Sequence, residues 1–395
     1  MRIASCRGAR TSTFVRGFGV GAIFFVLSSG CAVRGARNNP PPDAARRKDV
    51  IARARVWSPT DVSAMNVRRG PDGRRAPAPE ALVDCTYVPR DTGGRTPKFL
   101  CELRNGDLVM VKHGRDNGEV YAEVAATRLL WALGFGADRV YPVRVRCHGC
   151  PDEEGRPATE GGVRRFDVAT IELRRPGRPF DDERSGWSWR ELDDIEPARG
   201  GSSRAQRDAL MLLAAMLQHS DSKEQQQRLT CDGAATGREP CRRPFMYIDD
   251  LGKTFGTSSA LNRDGPSAVN LAAWSGTPMW ADDEGCRANL AGSLTGSLQY
   301  PVVSDEGRRF LARLLNRLTD RQLRQLFAVA RFPLRADAPR AEHVRVVDEW
   351  LRAFRAKVAQ ITERSCAPAP TKVETAASRQ PRLPARQVQR EAVAH

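Results

Sequence analysis

His219-Ser220-Asp221-Ser222-Lys223-Glu224-Gln225-Gln226 sets a carboxylate, an ammonium and an amide within one short polar run. It follows directly on Arg204 to Gln218, where Ala209, Leu210, Leu213, Ala214 and Leu217 recur on one face at helical spacing. The run is therefore a loop delivered by the end of an amphipathic helix. Downstream, Tyr247-Ile248-Asp249-Asp250-Leu251-Gly252-Lys253-Thr254-Phe255-Gly256 places an acidic pair before a Leu-Gly step.

Upstream the periodicity changes. Leu82 to Tyr87, Lys98 to Leu103 and Leu108 to Lys112 read as short strands, and Asn105-Gly106 is a hairpin signal between the last two. A helix is predicted from about Gly118 to Leu133, stopped at Gly134. Arg139 to Arg146 and Arg165 to Leu173 are strand-like again. The rest is helical: Gly307 to Leu318, then a helix to about Phe332 opened by a Thr319/Gln322 capping box, then Glu342 to Ile361. Strands first and helices later predict an α+β chain.

Two further groups stand out in the strand-rich part. Lys112 ends a predicted strand, and Glu123 lies on the next helix among Val120, Ala126, Thr127, Leu130 and Trp131. A carboxylate on an apolar face needs a cation, and Lys112 is the natural one. Glu119, on the same face, is the runner-up, and Arg128 points elsewhere. Gly93-Gly94-Arg95-Thr96-Pro97-Lys98-Phe99 is a glycine-led loop between two strands.

In this order the motifs resemble those of an atypical ATP-dependent kinase fold, nearer to the HipA-like and phosphoinositide-kinase-like branch than to ordinary protein kinases. The resemblance runs from about Ala81 to Gly256. It implies a two-lobed protein-kinase-like fold, with a β-rich N-lobe over 79–175 and a helical C-lobe over 176–366. It implies ATP and Mg²⁺ as cofactors, and transfer of the γ-phosphoryl group to a hydroxyl of a protein or small-molecule acceptor. Asp221 takes the place of the residue that orients that hydroxyl, and Lys223 that of the cation beside the migrating group. Asp250, in Asp250-Leu251-Gly252, takes the place of the metal-binding Asp, with Asp249 a lesser candidate and Gly252 permitting the turn. Lys112, fixed by Glu123, grips phosphates, and Gly94, Thr96 and Lys98 belong to the phosphate loop. His219 is a scaffolding residue in this scheme. Gln226 departs from the family pattern, which has Asn as the second metal ligand. No Ala-Pro-Glu follows Gly256. The alternative is an exported pseudokinase, or a nucleotide-binding scaffold lipoprotein without catalysis.

Composition and the chain ends complete the reading. The 395 residues are 41% hydrophobic and carry a formal charge of +16. The arginines are spread along the whole length, so a solvated surface is expected and no nucleic-acid partner. Arg2, Arg7, Arg10 and Arg16, the apolar run Gly17 to Leu27 and Ser28-Ser29-Gly30-Cys31 make residues 1–31 a secretory signal. Its end resembles a bacterial lipobox with Leu27 one place early. Lipidation at Cys31, ordinary cleavage nearby and an uncleaved anchor all stand open. The expectation is an exported, periplasmic or cell-envelope protein held to a membrane by its N-terminus. Residues 32–78 read as a Pro/Arg-rich tether and 367–395 as a disordered tail. With Cys6 and Cys31 set aside, an even set remains: Cys85, Cys101, Cys147, Cys150, Cys231, Cys241, Cys286 and Cys366. Disulfides are expected, with Cys85–Cys101 and Cys231–Cys241 as local pairs. Cys147-His148-Gly149-Cys150 together with Cys231 and Cys241 is a zinc alternative. Trp187, Trp189, Trp274 and Trp280 are expected in packing, and Phe180 to Glu196 at the rim of a cleft.

Overall fold

The first element already corrects the expected tether. α1 (Ala44–Ala52) is a helix, and Val50, Ile51, Ala54, Val56, Val62 and Val67 are all buried in the main core. Arg55 forms a parallel bridge to Phe245 and Trp57 an antiparallel one to Phe135. The abundance of Arg, Ala and Pro hid a short apolar series, and burial of that series holds residues 44–72 on the body. The computed structural model describes residues 44–366 except 73–75, 95, 152–161, 182–184, 234–239, 257–267, 283–284 and 293–295. The signal with Cys31 and the tail over 367–395 lie outside the described residues.

Alternating strands build the next part. β1 (Leu82–Val88), β2 (Lys98–Leu103), β3 (Leu108–His113), β4 (Arg139–His148) and β5 (Val163–Leu173) close into a barrel in the order β1-β2-β3-β5-β4. β1 and β4 pair parallel, and the other pairs are antiparallel. Phe99, Val109, Val111, Tyr141, Val143, Ala169 and Ile171 fill one core. Successive side chains face opposite ways along a strand. Lys112 on β3 and Thr170 and Glu172 on β5 therefore leave the barrel on its outer side. Strands before helices agree with the α+β expectation, but a closed five-stranded barrel fits a two-lobed kinase fold only loosely. α2 (Glu119–Leu133) packs on the barrel's outside and ends at Gly134, whose φ of 88° is left-handed, as the sequence predicts.

A second sheet joins β6 (Arg178–Pro179), β7 (Gln227–Cys231) and β8 (Pro244–Ile248) in that order. The helices are α3 (Arg204–Leu217), α4 (Leu271–Gly276), α5 (Asp305–Asn316), α6 (Asp320–Val329), α7 (Phe332–Arg335) and α8 (His343–Glu363). Ser203, Asn270, Ser304 and Thr319 cap α3 to α6 with their side chains, and the Thr319/Gln322 box forms as expected. Phe255, Trp274, Phe327, Phe332, Trp350 and Phe354 form an aromatic cluster with ring centroids 4.6 to 6.5 Å apart. Trp187 and Trp274 are fully buried and Trp189 nearly so, in line with the packing role expected of them.

Among the described residues four disulfides join Cys85–Cys101, Cys147–Cys150, Cys231–Cys241 and Cys286–Cys366. Both expected local pairs form. The zinc alternative falls, because its four sulfurs are consumed in two disulfides. Among the described residues no helix is long and apolar enough to cross a membrane. Cys286–Cys366 links residues 80 apart in sequence, and Cys147–Cys150 residues 3 apart. Chain-entropy reasoning then predicts a cost of about 4 kcal/mol for replacing Cys286 and Cys366 by Ala. The same change at Cys147 and Cys150 costs less, and urea unfolding of both variants checks the order.

Candidate functional site

Lys112 leaves β3 on the side away from the barrel core and its side chain is 4% exposed. Its Nζ donates to Glu123 Oε1 and lies 3.6 Å from Glu119 Oε2, 3.7 Å from Asp250 Oδ1 and 3.9 Å from Glu172 Oε2. Glu119 and Glu123 are one turn apart on α2, so both carboxylates meet the same ammonium. The expected pair is present, and Glu119 joins it rather than replacing it. Burial disfavours the ammonium, but Asp250, Glu123, Glu172 and Glu119 together push its pKa well above the ordinary lysine value. Burial raises the pKa of Glu123 well above the carboxylate range, and Lys112 pulls against it. Burial also raises Asp250, yet Lys112 and the Gly252 amide outweigh it and hold this carboxyl well below its usual value. Asp250 is ionised and facing a cation.

The 219–226 loop sits against the Asp250 segment through its backbone. The Asp249 amide donates to the Gln226 carbonyl at 2.8 Å and the Asp250 amide to the same oxygen at 3.4 Å. The Ser220 amide donates to the Lys253 carbonyl at 3.2 Å. Asp221 accepts from Lys223 Nζ at 2.6 Å and from Gln226 Nε2 at 3.1 Å. The side-chain amide of Gln226 is thus engaged with Asp221. The carboxylates grouped with Asp250 are Glu119 and Glu123, one oxygen of each within 4.8 Å of the others. Gly252 is not left-handed, so it does not serve the turn as expected; a Cβ there would meet Glu119 Cγ at 2.7 Å, and the glycine permits that close approach. His219 is fully buried, and among the described residues neither ring nitrogen has a hydrogen-bond partner.

The glycine-led loop reaches the same place. Gly94 is left-handed at φ 71°. Thr96 Oγ1 donates to Glu119 Oε1 at 2.7 Å, so its hydroxyl is tied to α2. Lys98 stands directly opposite Lys112 in the β2–β3 register and is among the groups that lower Asp250. The sequence-predicted residues Gly94, Thr96, Lys98, Lys112, Glu123, Asp250, Gln226, Asp221 and Lys223 therefore converge on one region.

Three residues there escaped or were ranked low by sequence reasoning. Asp138, Glu172 and Asp249 each place an oxygen within 4.8 Å of the other two. Asp249, the lesser metal candidate, pairs with Arg228 at 2.9 Å. Burial raises Asp138 well above the carboxylate range, helped by Asp249 and Glu172. Strand parity with Lys112 was the available signal for Glu172; Asp138 had none. Trp189 Nε1 donates to the Ser222 carbonyl at 2.8 Å, which ties the 188–194 segment to the 219–226 loop. Trp189, Arg190 and Asp193 line a cavity of about 1090 Å³ with Arg207, Glu224 and Leu298.

No protein-family model matches the chain, and no curated protein is matched. Among solved structures, the crystal structure of a Helicobacter pylori proinflammatory kinase, CtkA, is similar at 12% identity and a TM-score of 0.40, over 71% of this chain and 97% of that one. A likeness this weak carries no weight for the chemistry, which rests on the side chains.

Lys112→Met leaves Glu123 and Asp250 facing one another without the ammonium. It is expected to destabilise the fold by about 3–5 kcal/mol, with part of the loss recovered when Glu123→Gln is added; a denaturation cycle on the four chains measures both. Burial lowers the pKa of His219 to about 4, against opposing pulls from Asp250 and Asp221. The unfolded chain takes up this proton near the ordinary histidine value of about 6.5. The neutral buried ring thus contributes full stability above that pH, and the contribution is lost as pH falls toward the folded pKa. His219→Asn is expected to flatten stability over this window by about 3 kcal/mol relative to the parent, read from urea unfolding at stepped pH.

Proposed function

We propose that the chain is a kinase-like phosphotransferase that moves the γ-phosphoryl group of ATP to a hydroxyl of a protein or small-molecule acceptor. The observation that carries this reading is the 3.7 Å approach of Lys112 Nζ to Asp250 Oδ1 while the same ammonium is bonded to Glu123. A strand lysine, a helix glutamate and an ionised aspartate beyond the catalytic loop meet at one point, as phosphoryl transfer requires. Lys112 holds phosphate oxygens by charge, and Glu123 fixes its direction. Gly94, Thr96 and Lys98 border the phosphates from the other side. Asp221 accepts the hydroxyl proton of the acceptor, and Lys223 balances charge beside it. Asp250 and the amide oxygen of Gln226 are hard oxygen donors that suit Mg²⁺. When bound, Mg²⁺ offsets charge building on the phosphoryl oxygens. The cavity bordered by Trp189 and Glu224 is the natural seat for the acceptor.

A second reading is a pseudokinase that binds nucleotide and transfers nothing. It is favoured by Gln226, whose amide is committed to Asp221 where the family has Asn. Under either reading we place the protein outside the cytoplasm, in the periplasm or cell envelope, held to a membrane by lipid at Cys31 or by its signal anchor. Four disulfides support an oxidising compartment. The two lobes of this reading are 79–175 and 176–366, and nucleic acid has no part in it.

Incubating the full chain with radiolabelled Mg·ATP and a mixed acceptor pool tests the proposal. Asp221→Ala is expected to lower transfer by at least about 100-fold with an unchanged melting temperature, and undiminished transfer rejects the role of Asp221. Mg-dependent nucleotide binding that Asp250→Ala abolishes, without transfer by the parent, selects the pseudokinase.

A further inference from the structure

Two carboxylate groups lie side by side, one gathered around an ammonium and the other met by cations of the protein only at its edges. Glu119, Glu123 and Asp250 surround the Lys112 ammonium. Asp138, Glu172 and Asp249 are drawn from three places: the approach to β4, the outer face of β5 and the residue after β8. Lys112 touches that group only at its edge, 3.9 Å from Glu172. Arg228 answers Asp249 from one side at 2.9 Å. Asp138 is 1% exposed; its Oδ1 accepts the Arg175 amide at 2.7 Å, and its Oδ2 has no donor among the described residues. Thr170 Oγ1, on the same strand face as Glu172 and 1% exposed, likewise has no partner among them. Asp138, Glu172 and Asp249 turn oxygens toward one another, a contact that is costly unless a proton or a cation joins them.

We infer that Asp138, Glu172 and Asp249 form a divalent-cation site separate from the one proposed for Asp250 and Gln226. Three carboxylates and no nitrogen or sulfur donor select a hard ion such as Mg²⁺, Mn²⁺ or Ca²⁺. The side chains of Asp249 and Glu172 keep 15% and 18% exposure, which gives an ion a way in and leaves positions for water. The site needs no nucleotide to exist, since all its ligands are protein groups. The competing occupant is a proton shared between carboxyls.

The test is Mn²⁺ titration of the disulfide-bonded full chain without nucleotide, followed by electron paramagnetic resonance. The parent is expected to bind one Mn²⁺ that Asp138→Asn and Glu172→Gln each weaken by at least about tenfold, the lower end of losses seen for groups that merely support a metal. Asp250→Asn keeps it. Absence of Mn²⁺ binding by the folded parent overturns the inference, as does binding that survives both Asp138→Asn and Glu172→Gln. Binding lost only in Asp250→Asn also overturns it, by assigning the ion to the Lys112 group. Should both variants fail to fold, the melting temperatures of the parent and of Asp250→Asn decide: an equal rise with Mn²⁺ in both supports the site, and no rise in the parent rejects it. These outcomes are independent of ATP binding, so failure of the kinase reading leaves them unchanged.

Discussion

A lysine ammonium taken out of water has to be surrounded by charge of the opposite sign, and the placing of Lys112 obliges much of this structure to exist. The barrel supplies the ammonium, α2 supplies Glu119 and Glu123, and the segment after β8 supplies Asp250. Each of these groups is stranded without the others, because a buried charge left alone costs several kcal/mol. The barrel, the helix packed on it and the second sheet are therefore joined by a charge requirement as well as by apolar contact. The 219–226 loop enters the arrangement by backbone hydrogen bonds to residues 249 and 250, so its position depends on the same knot.

Much of this was legible because it is local. Alternation marked β1 to β5 to within a few residues, Gly134 ended α2, and the Thr319/Gln322 box opened α6. The Lys112–Glu123 contact was legible for a different reason: a carboxylate on an apolar helix face has to find a cation. What escaped depends on distant pairing. β7 and β8 are buried on both faces and so show no alternation. α1 was masked by Arg and Ala around Val50 and Ile51. Barrel closure through β1 and β4, and the meeting of Asp138 with Glu172, come from tertiary register that no window of sequence contains. Cys286 and Cys366 lie too far apart in the chain for spacing to pair them.

The net charge of the chain and the charge gathered at the site have opposite character. The chain carries a formal charge of +16, yet the converging site is rich in carboxylates. Basic residues spread along a chain attract anions generally, whereas a group of carboxylates repels them unless cations intervene.

Phe255, a short step beyond Asp250, has a left-handed φ of 57° and no exposed surface. Its ring lies against Trp274, Phe327, Phe332 and Trp350. Those partners belong to α4, α6, α7 and α8, so the backbone carrying Asp250 is moored to the last helix among the described residues. A nascent polypeptide that has emerged as far as Gly256 owns every motif of the site and still lacks the mooring. Premature termination before α8 then yields a product with all the right letters and no seat for them, and assembly of this site waits until α8 has been made.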